Sequence, residues 1–151
     1  MTDETKTVLP VTEKIAAFVA NTKAADIPQE MYDHARVAFM DWLAVTLGGK
    51  DDPLVEKLQT YTDKMGGLPQ ATLIGRKTKK SVADAALING AASHALDYDD
   101  TLVSFLGHPS VTLFPALLAL AEWQEKSGRD FLTAYLIGLQ AGSAVGSCAS
   151  L

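Results

Sequence analysis

The sequence predicts an all-α protein that forms one domain over residues 1–151. Apolar residues recur at helical spacing in nearly every segment between turn signals, and only residues 71–74 suggest a strand. Hydrophobic residues make up 48% of the chain and charged residues 21%, as in ordinary globular proteins. A chain of 151 residues can bury one core and is short for two independent ones.

The first three helices each have a start signal and a stop signal. Ser, Thr and Asp cap helix starts, Pro suits the first turn, and Gly favours the residue that follows a helix. These signals predict a first helix capped by Thr12, a second opened by Asp26-Ile27-Pro28 and a third started by Asp52-Pro53. The three helices are expected to end near Thr22, Gly48-Gly49 and Met65.

Three more helices are predicted after the short segment 71–74, which is either a strand or an extended link. Ser81 and Asp84 form a capping box for a fourth helix that ends near residue 96, and residues 97–110 are predicted to form a loop. The fifth helix is expected over residues 111–126, and Asp130 is expected to cap the sixth.

The sixth helix carries Gly138, Gly142 and Gly146 at a spacing of four, so one face lacks side chains. We interpret this face as a close crossing within a protein core and not as a membrane span, because the segment holds several glycines, serines and a glutamine. The chain ends inside this apolar helix without a cap. We therefore expect another chain to cover the glycine face and the helix end.

Charge and cysteine content narrow the classes of partner and compartment. The formal net charge is −5, and without a sustained basic stripe nucleic acid is not an expected partner. Cys148 is the only cysteine, and the polar start of the chain does not resemble a signal peptide, so we expect a cytoplasmic protein. Phosphate-loop, dinucleotide and cysteine-pair metal motifs are absent, and no cofactor is predicted.

Chemically reactive side chains concentrate in residues 89–101 and 107–110, around the predicted loop. Asp97 and His108 are a plausible proton-handling pair, because histidine titrates near neutral pH and a carboxylate can orient it. The backbone N–H groups at the start of the next helix could receive a substrate carboxylate. Asp99 and Asp100 serve equally well as turn caps, and His94 as a structural residue.

The stretch 89–101, N-G-A-A-S-H-A-L-D-Y-D-D-T, followed by G-H-P-S at 107–110, resembles the signature of the MmgE/PrpD family. The segments D-W-L-A at 41–44, A-T-L-I-G at 71–75 and G-R-D-F at 128–131 resemble the family in the same order. The family includes 2-methylcitrate dehydratase, cis-aconitate decarboxylase and iminodisuccinate epimerase.

The resemblance implies part of a metal-independent lyase or isomerase that moves a proton next to a carboxylate of a small di- or tricarboxylic acid. It assigns His108 as proton carrier or carboxylate partner, Asp97 as orienting residue and Thr101 as a substrate-binding hydrogen-bond donor. It also implies an incomplete fold, because family members are longer and add an α+β lid domain. The expected partner is a second copy or a chain that supplies the missing part.

Two other functional classes remain open on the sequence. One is a non-catalytic helical interaction module, a degenerate subunit that dimerises through its apolar surface. The other is a small metal-binding domain that uses the three Asp residues of the loop with His108, although this stretch lacks the glycine placement and closing Glu of a calcium loop.

Overall fold

Helices dominate the computed structural model, which describes residues 10–149, and the all-α prediction is confirmed. The prediction that the start of the chain is not a signal peptide concerns residues 1–9, and the prediction of an uncapped end concerns residues 150–151. Both lie outside the described residues. The helices are α1 (Val11–Asn21), α2 (Gln29–Gly49), α3 (Pro53–Met65), α4 (Val82–His94), α5 (Pro109–Trp123) and α6 (Gly128–Ala149). The shorter elements are β1 (Ala71–Thr72), β2 (Lys79–Lys80) and two 3-10 turns, Ala24–Asp26 and Val103–Phe105.

Two of the predicted helix caps are confirmed in atomic detail. The Asp52 side chain accepts a hydrogen bond from the Leu54 N–H at 2.8 Å and starts α3. The Ser81 hydroxyl accepts from the Asp84 N–H at 3.2 Å and starts α4. These local signals succeeded because each cap needs only the backbone of the next turn.

The predicted starts of α1, α2, α5 and α6 need correction. Residue 12 lies within α1, which begins at Val11, and Pro28 precedes α2 instead of opening it. Helix α5 begins at Pro109, two residues earlier than expected, because Pro suits a first helical position. Asp130 is not the cap of α6: the Ser127 hydroxyl accepts from the Asp130 N–H at 3.1 Å, and Asp130 accepts from the Ser127 N–H at 3.2 Å.

Asn89 of α4 forms hydrogen bonds with the small hairpin that consists of β1 and β2. Strand β1 pairs antiparallel with β2, a partner that the sequence did not reveal because both of its residues are lysines. The buried Asn89 amide donates to the Thr72 carbonyl at 2.9 Å and accepts from the Ile74 N–H at 3.0 Å. This residue of the signature therefore has a structural role.

Helix α5 lies in the centre of the fold and packs on α2, α4 and α6. Its Phe114 is fully buried and stacks on Tyr135 of α6, with the ring centres 4.0 Å apart. Phe114 also meets Trp42 of α2, with ring centres at 5.5 Å. Aromatic pairs at such distances add stabilisation beyond burial alone. These contacts hold α5, and with it the N-terminus of this helix, in place.

The glycine face of α6 is covered by the chain itself. A Cβ on Gly138 would lie 3.0 Å from the Leu113 side chain, and one on Gly142 would lie 2.1 Å from the Phe105 ring. A Cβ on Gly146 would lie 2.4 Å from the Ser104 carbonyl oxygen. The close crossing is therefore confirmed, and the expectation that another chain covers this face is wrong, because α5 and the 3-10 turn Val103–Phe105 fill it.

Within the described residues, α6 is the one helix long and apolar enough to cross a membrane by length and composition. Core helices of proteins pass the same test, so a single such helix is weak evidence for a span. Here α6 packs against α1, α2, α5 and the 3-10 turn, and it buries Phe131 and Tyr135.

Candidate functional site

The candidate site lies where α4 ends and α5 begins. His94 is the last residue of α4, and His108 immediately precedes α5. The site loop, residues 95–108, follows α4, and a φ of 49° at Asp97 turns the chain. Asp tolerates this left-handed conformation better than most residues do. A backbone hydrogen bond from the Leu102 N–H to the Gly107 carbonyl, at 2.9 Å, closes the far end of the loop.

Four side chains meet in what we call the histidine–carboxylate cluster: His94, Asp97, Asp99 and His108. One nitrogen or oxygen atom of each lies within 4.8 Å of the corresponding atoms of the others. The two imidazole rings contact each other edge to face, with centres 4.8 Å apart. The predicted proximity of Asp97 and His108 is thus present, but the cluster also includes His94 and Asp99, which the residue types alone had left as structural or capping residues.

Asp99 is the buried centre of the cluster. Its side chain is fully buried, and its Oδ1 lies 2.9 Å from Nδ1 of His94. Its Oδ2 lies 3.3 Å from Nδ1 of His108. A fully buried carboxylate is stable only when it is paired or hydrogen-bonded. Asp99 is therefore not the solvent-exposed turn cap that its sequence context allowed.

Asp97 and Thr101 are on the outside of the loop. The Asp97 side chain is 79% exposed, and its Oδ1 lies 3.9 Å from Nε2 of His108, beyond hydrogen-bond distance. Thr101 is also exposed, and its side chain makes no hydrogen bond to the part of the chain that the structure describes. Both side chains are therefore free to meet a ligand that approaches from solvent.

Asp100 caps α5 from the loop, which confirms the capping interpretation for this residue. Its carboxylate accepts from the Ser110 N–H at 3.1 Å and from the Ser110 hydroxyl at 2.7 Å. Pro109 has no N–H, and the Thr112 N–H bonds the His108 carbonyl at 3.3 Å. The chain's own Asp100 already accepts from the Ser110 N–H, so the expectation that the α5 N-terminus receives a substrate carboxylate is limited to its other N–H groups.

Tyr135 extends this polar network into the core, and no sequence pattern indicated this role. Its hydroxyl lies 3.3 Å from the Ser110 hydroxyl. Burial raises the pKa of Tyr135, the Ser110 hydrogen bond opposes this shift, and the Asp100 charge adds to it. Tyr135 is spaced like any core aromatic of α6, so only the fold shows that it meets Ser110.

The cluster has no lysine or arginine partner in the described chain. The ion pairs of Lys and Arg side chains among residues 10–149 all lie elsewhere, on Asp33, Asp51, Asp63 and Glu122. Among the described residues, an anionic ligand at this cluster would therefore meet two imidazoles and two carboxylates without a paired Lys or Arg. The site is also open to solvent on one side, because the Asp97 side chain is exposed.

The fold and the cluster define a helical protein with paired imidazoles and carboxylates at a helix junction, which is a set of groups suited to acid–base chemistry. The MmgE/PrpD N-terminal domain model matches residues 13–151. The chain belongs to the MmgE/PrpD family.

Similar proteins agree with this family assignment, and the chain covers only part of each of them. It is 31% identical over 144 residues to a cis-aconitate decarboxylase-like protein of Aspergillus oryzae, covering 91% of this chain and 30% of that protein. It is 28% identical over 135 residues to the cis-aconitate decarboxylase of Mus musculus, covering 86% of this chain and 28% of the mouse protein. For the enzyme of Aspergillus terreus the identity is 26%, with 90% and 29% covered. The chain spans less than a third of the length of these relatives.

Proposed function

We propose that this chain is the N-terminal part of a metal-independent lyase or isomerase that acts on a small di- or tricarboxylic acid by proton transfer next to a carboxylate. The observation that carries the proposal is the pairing of His108 with two carboxylates, one buried and one exposed. Membership of a family with lyase relatives supports the same class.

Decarboxylation has the most support among the three reactions that the sequence leaves open. The similar proteins named above carry the name cis-aconitate decarboxylase or a likeness to it. In such a reaction the bond to the carboxylate breaks, carbon dioxide leaves, and the electron pair left on carbon takes up a proton. Dehydration and epimerisation also move a proton at a carbon next to a carboxylate, so the same residues suit them.

His108 has the central role in this proposal. Its Nε2 carries the proton to or from the substrate carbon, since an imidazole can donate and accept near neutral pH. Asp97, 3.9 Å from Nε2, stabilises the protonated ring. Thr101, exposed on the same loop, donates a hydrogen bond to the substrate.

A further polypeptide completes the site in this proposal. The substrate is an anion, while the cluster carries carboxylates and no Lys or Arg partner within residues 10–149. Proton-transfer sites also exclude bulk water, which here reaches Asp97. The missing part of the family sequence would supply the cations and the cover, and we place the assembled enzyme in the cytoplasm.

An apolar stripe on α2 supports assembly with another chain. Val37, Met40 and Leu47 lie along this helix and are 67%, 69% and 44% exposed. Contiguous exposed apolar surface on a protein usually marks an interface. We expect a homo-oligomer or a complex with the completing polypeptide, and light scattering that gives a well-behaved monomer at micromolar concentration would contradict this expectation.

The test joins the chain to the remaining two thirds of a family member and follows candidate acids by proton NMR in D2O. Decarboxylation, dehydration and epimerisation give different products, and each changes the deuterium content at the reacting carbon. The isolated chain should show little turnover, because groups that act as a unit lose activity when part of the set is absent. Activity on a small polycarboxylic acid should be present in the assembled protein and should survive a chelator.

Two variants of the assembled enzyme test the residue roles. His108→Ala should lower turnover by about a hundredfold or more, which is the usual scale for a general acid or base. Asp97→Asn should also impair turnover, and Asn tolerates the positive φ at this position, so the loss would report on the carboxylate itself. Asp52→Asn is the control, because Asn also caps helices and α3 lies outside the site. Full activity of His108→Ala would refute the mechanism.

A zinc-binding domain is the second candidate function, because two imidazoles and two carboxylates within 4.8 Å are also ligands that Zn²⁺ accepts. In a calorimetric titration of the chelator-treated chain, zinc binding that is lost in both His94→Ala and His108→Ala would support this alternative. Absence of binding at micromolar zinc would leave the proton-transfer role.

A further inference from the structure

We infer that Asp99, and not Asp97, is the positioning residue that holds His108 with its proton on Nδ1 and leaves Nε2 free to act as a base. The consequence for catalysis rests on the proposed function. The geometric part is a property of the chain alone and can be tested without activity.

Burial and distance both favour Asp99 over Asp97. The Asp99 side chain is 0% exposed and the Asp97 side chain 79%. Asp99 lies 3.3 Å from one nitrogen of His108, and Asp97 lies 3.9 Å from the other. An interaction in a desolvated environment is stronger and less screened than one exposed to water and salt. Asp99 therefore has the larger effect on the orientation of the ring.

Two buried polar atoms that lack a hydrogen-bond partner among the described residues face each other at the contact between Asp99 and His108. Oδ2 of Asp99 and Nδ1 of His108 are both buried, and neither has a hydrogen bond with good geometry to the described residues. An unsatisfied buried polar group is unfavourable, because it has lost its hydrogen bonds to water without gaining a partner. At a separation of 3.3 Å, a small rotation of either side chain forms one bond that satisfies both atoms. That bond requires the proton on Nδ1, because an ionised carboxylate can only accept.

His94 pairs with the other oxygen of the Asp99 carboxylate. Its Nδ1 lies 2.9 Å from Oδ1 of Asp99, so this ring also donates from Nδ1 when it is neutral. The two rings touch edge to face and limit each other's rotation. Asp99 thus fixes the same tautomer in both rings, and its burial between them holds the His108 ring at the start of α5.

Fixing the tautomer has a direct chemical consequence. A neutral imidazole has one donor and one acceptor nitrogen, so a proton held on Nδ1 leaves the lone pair on Nε2. Nε2 is the atom on the side of exposed Asp97. When Nε2 takes up a proton, Asp99 and Asp97 face opposite sides of the resulting cation.

The test reads the tautomers directly by long-range ¹H–¹⁵N NMR of the histidine rings in the full 151-residue chain. The spectra are recorded at increasing pH until the ring ¹⁵N shifts no longer change, so that the neutral tautomers are the forms observed. His94 and His108 should both be protonated on Nδ1. The exposed His34 on α2 provides an internal reference, because a ring without a fixed partner favours the Nε2–H form. His108 protonated on Nε2 in the unaltered chain would overturn the inference.

Asp99→Asn tests the cause. Asparagine has one acceptor oxygen, and its NH2 group only donates, so at most one ring can keep its proton on Nδ1. Asp100→Asn is the matched control, because this neighbouring carboxylate bonds Ser110 and neither ring. The inference expects a tautomer change in the first variant and none in the second. If Asp99→Asn fails to fold, the unaltered chain still decides, since its own tautomers are the primary result.

The outcome can be separated from that of the proposed function. Nδ1–H tautomers in an assembled protein that remains inactive on small polycarboxylic acids would refute the proposed function and leave Asp99 as a structural anchor. An active assembled enzyme with His108 protonated on Nε2 would refute this inference alone. If the inference holds, Asp99→Asn in the active assembled enzyme should lower kcat more than it changes KM, since Asp99 contacts His108 and not the substrate.

Discussion

Gly142 of α6 leaves room for the Phe105 ring of the site loop, and replacing it with alanine should displace the loop. The added Cβ would lie 2.1 Å from one Phe105 ring carbon and within 2.9 Å of two others. Ordinary contacts begin near 3.4 Å, so the Phe105 ring would have to retreat by roughly 1 Å or more. Phe105 lies three residues before His108, and its retreat would therefore move the loop that carries the histidine–carboxylate cluster.

The expected net effect is a loss of stability. Alanine in a helix interior is favoured over glycine by about 1 kcal/mol, whereas forcing extra volume into a packed contact costs about 1–3 kcal/mol. We expect Gly142→Ala to be destabilising by about 1 kcal/mol. For a domain of this size that corresponds to a decrease in Tm of about 2–4 °C, measured by circular dichroism at 222 nm.

Gly90→Ala is the matched control for this prediction. Gly90 lies inside α4, and a Cβ there would meet only the Pro115 side chain at 3.6 Å, an ordinary contact. This variant should be as stable as the unaltered chain or more stable by up to about 1 kcal/mol. Equal or higher stability of Gly142→Ala, with unchanged NMR signals of His108, would refute the idea that the glycine face holds the loop.

Two further predictions concern the hydrogen bonds that start α5 and α6. Ser110→Ala removes the hydroxyl that bonds both Asp100 and Tyr135, so it should destabilise the chain by about 1–2 kcal/mol in urea unfolding. In the same variant the pKa of Tyr135 should rise further, since that hydrogen bond lowers it, and an unchanged absorbance titration would contradict this expectation. Hydrogen bonds from Ser127 hold the pKa of Asp130 below its usual value, so their stabilisation is present above the unfolded pKa and is lost as pH falls through the folded one. The Tm difference between the unaltered chain and Ser127→Ala should therefore shrink between about pH 5 and pH 2, whereas a constant difference would show that the Asp130 charge contributes nothing.

Local signals predicted most of the helices correctly. The Asp52 and Ser81 caps were found because a cap is completed by the next three residues of the chain. At α6 the same reasoning chose the wrong residue, since Ser127 and Asp130 bond each other reciprocally and both satisfy the pattern. The cap was then assigned to the acidic residue instead of the serine three positions earlier.

The sequence by itself determined the helical class, the family and the position of the candidate site residues along the chain, because periodicity and motif spacing are properties of the chain. It did not determine which carboxylate is buried, since Asp97, Asp99 and Asp100 lie within four positions and have the same side chain. Only the tertiary structure decided that Asp99 lies between two histidines and that Asp100 caps α5. It also decided that the glycine face holds the site loop. These contacts join groups whose burial depends on how α4, α5 and α6 pack, and burial determines whether a carboxylate must be paired.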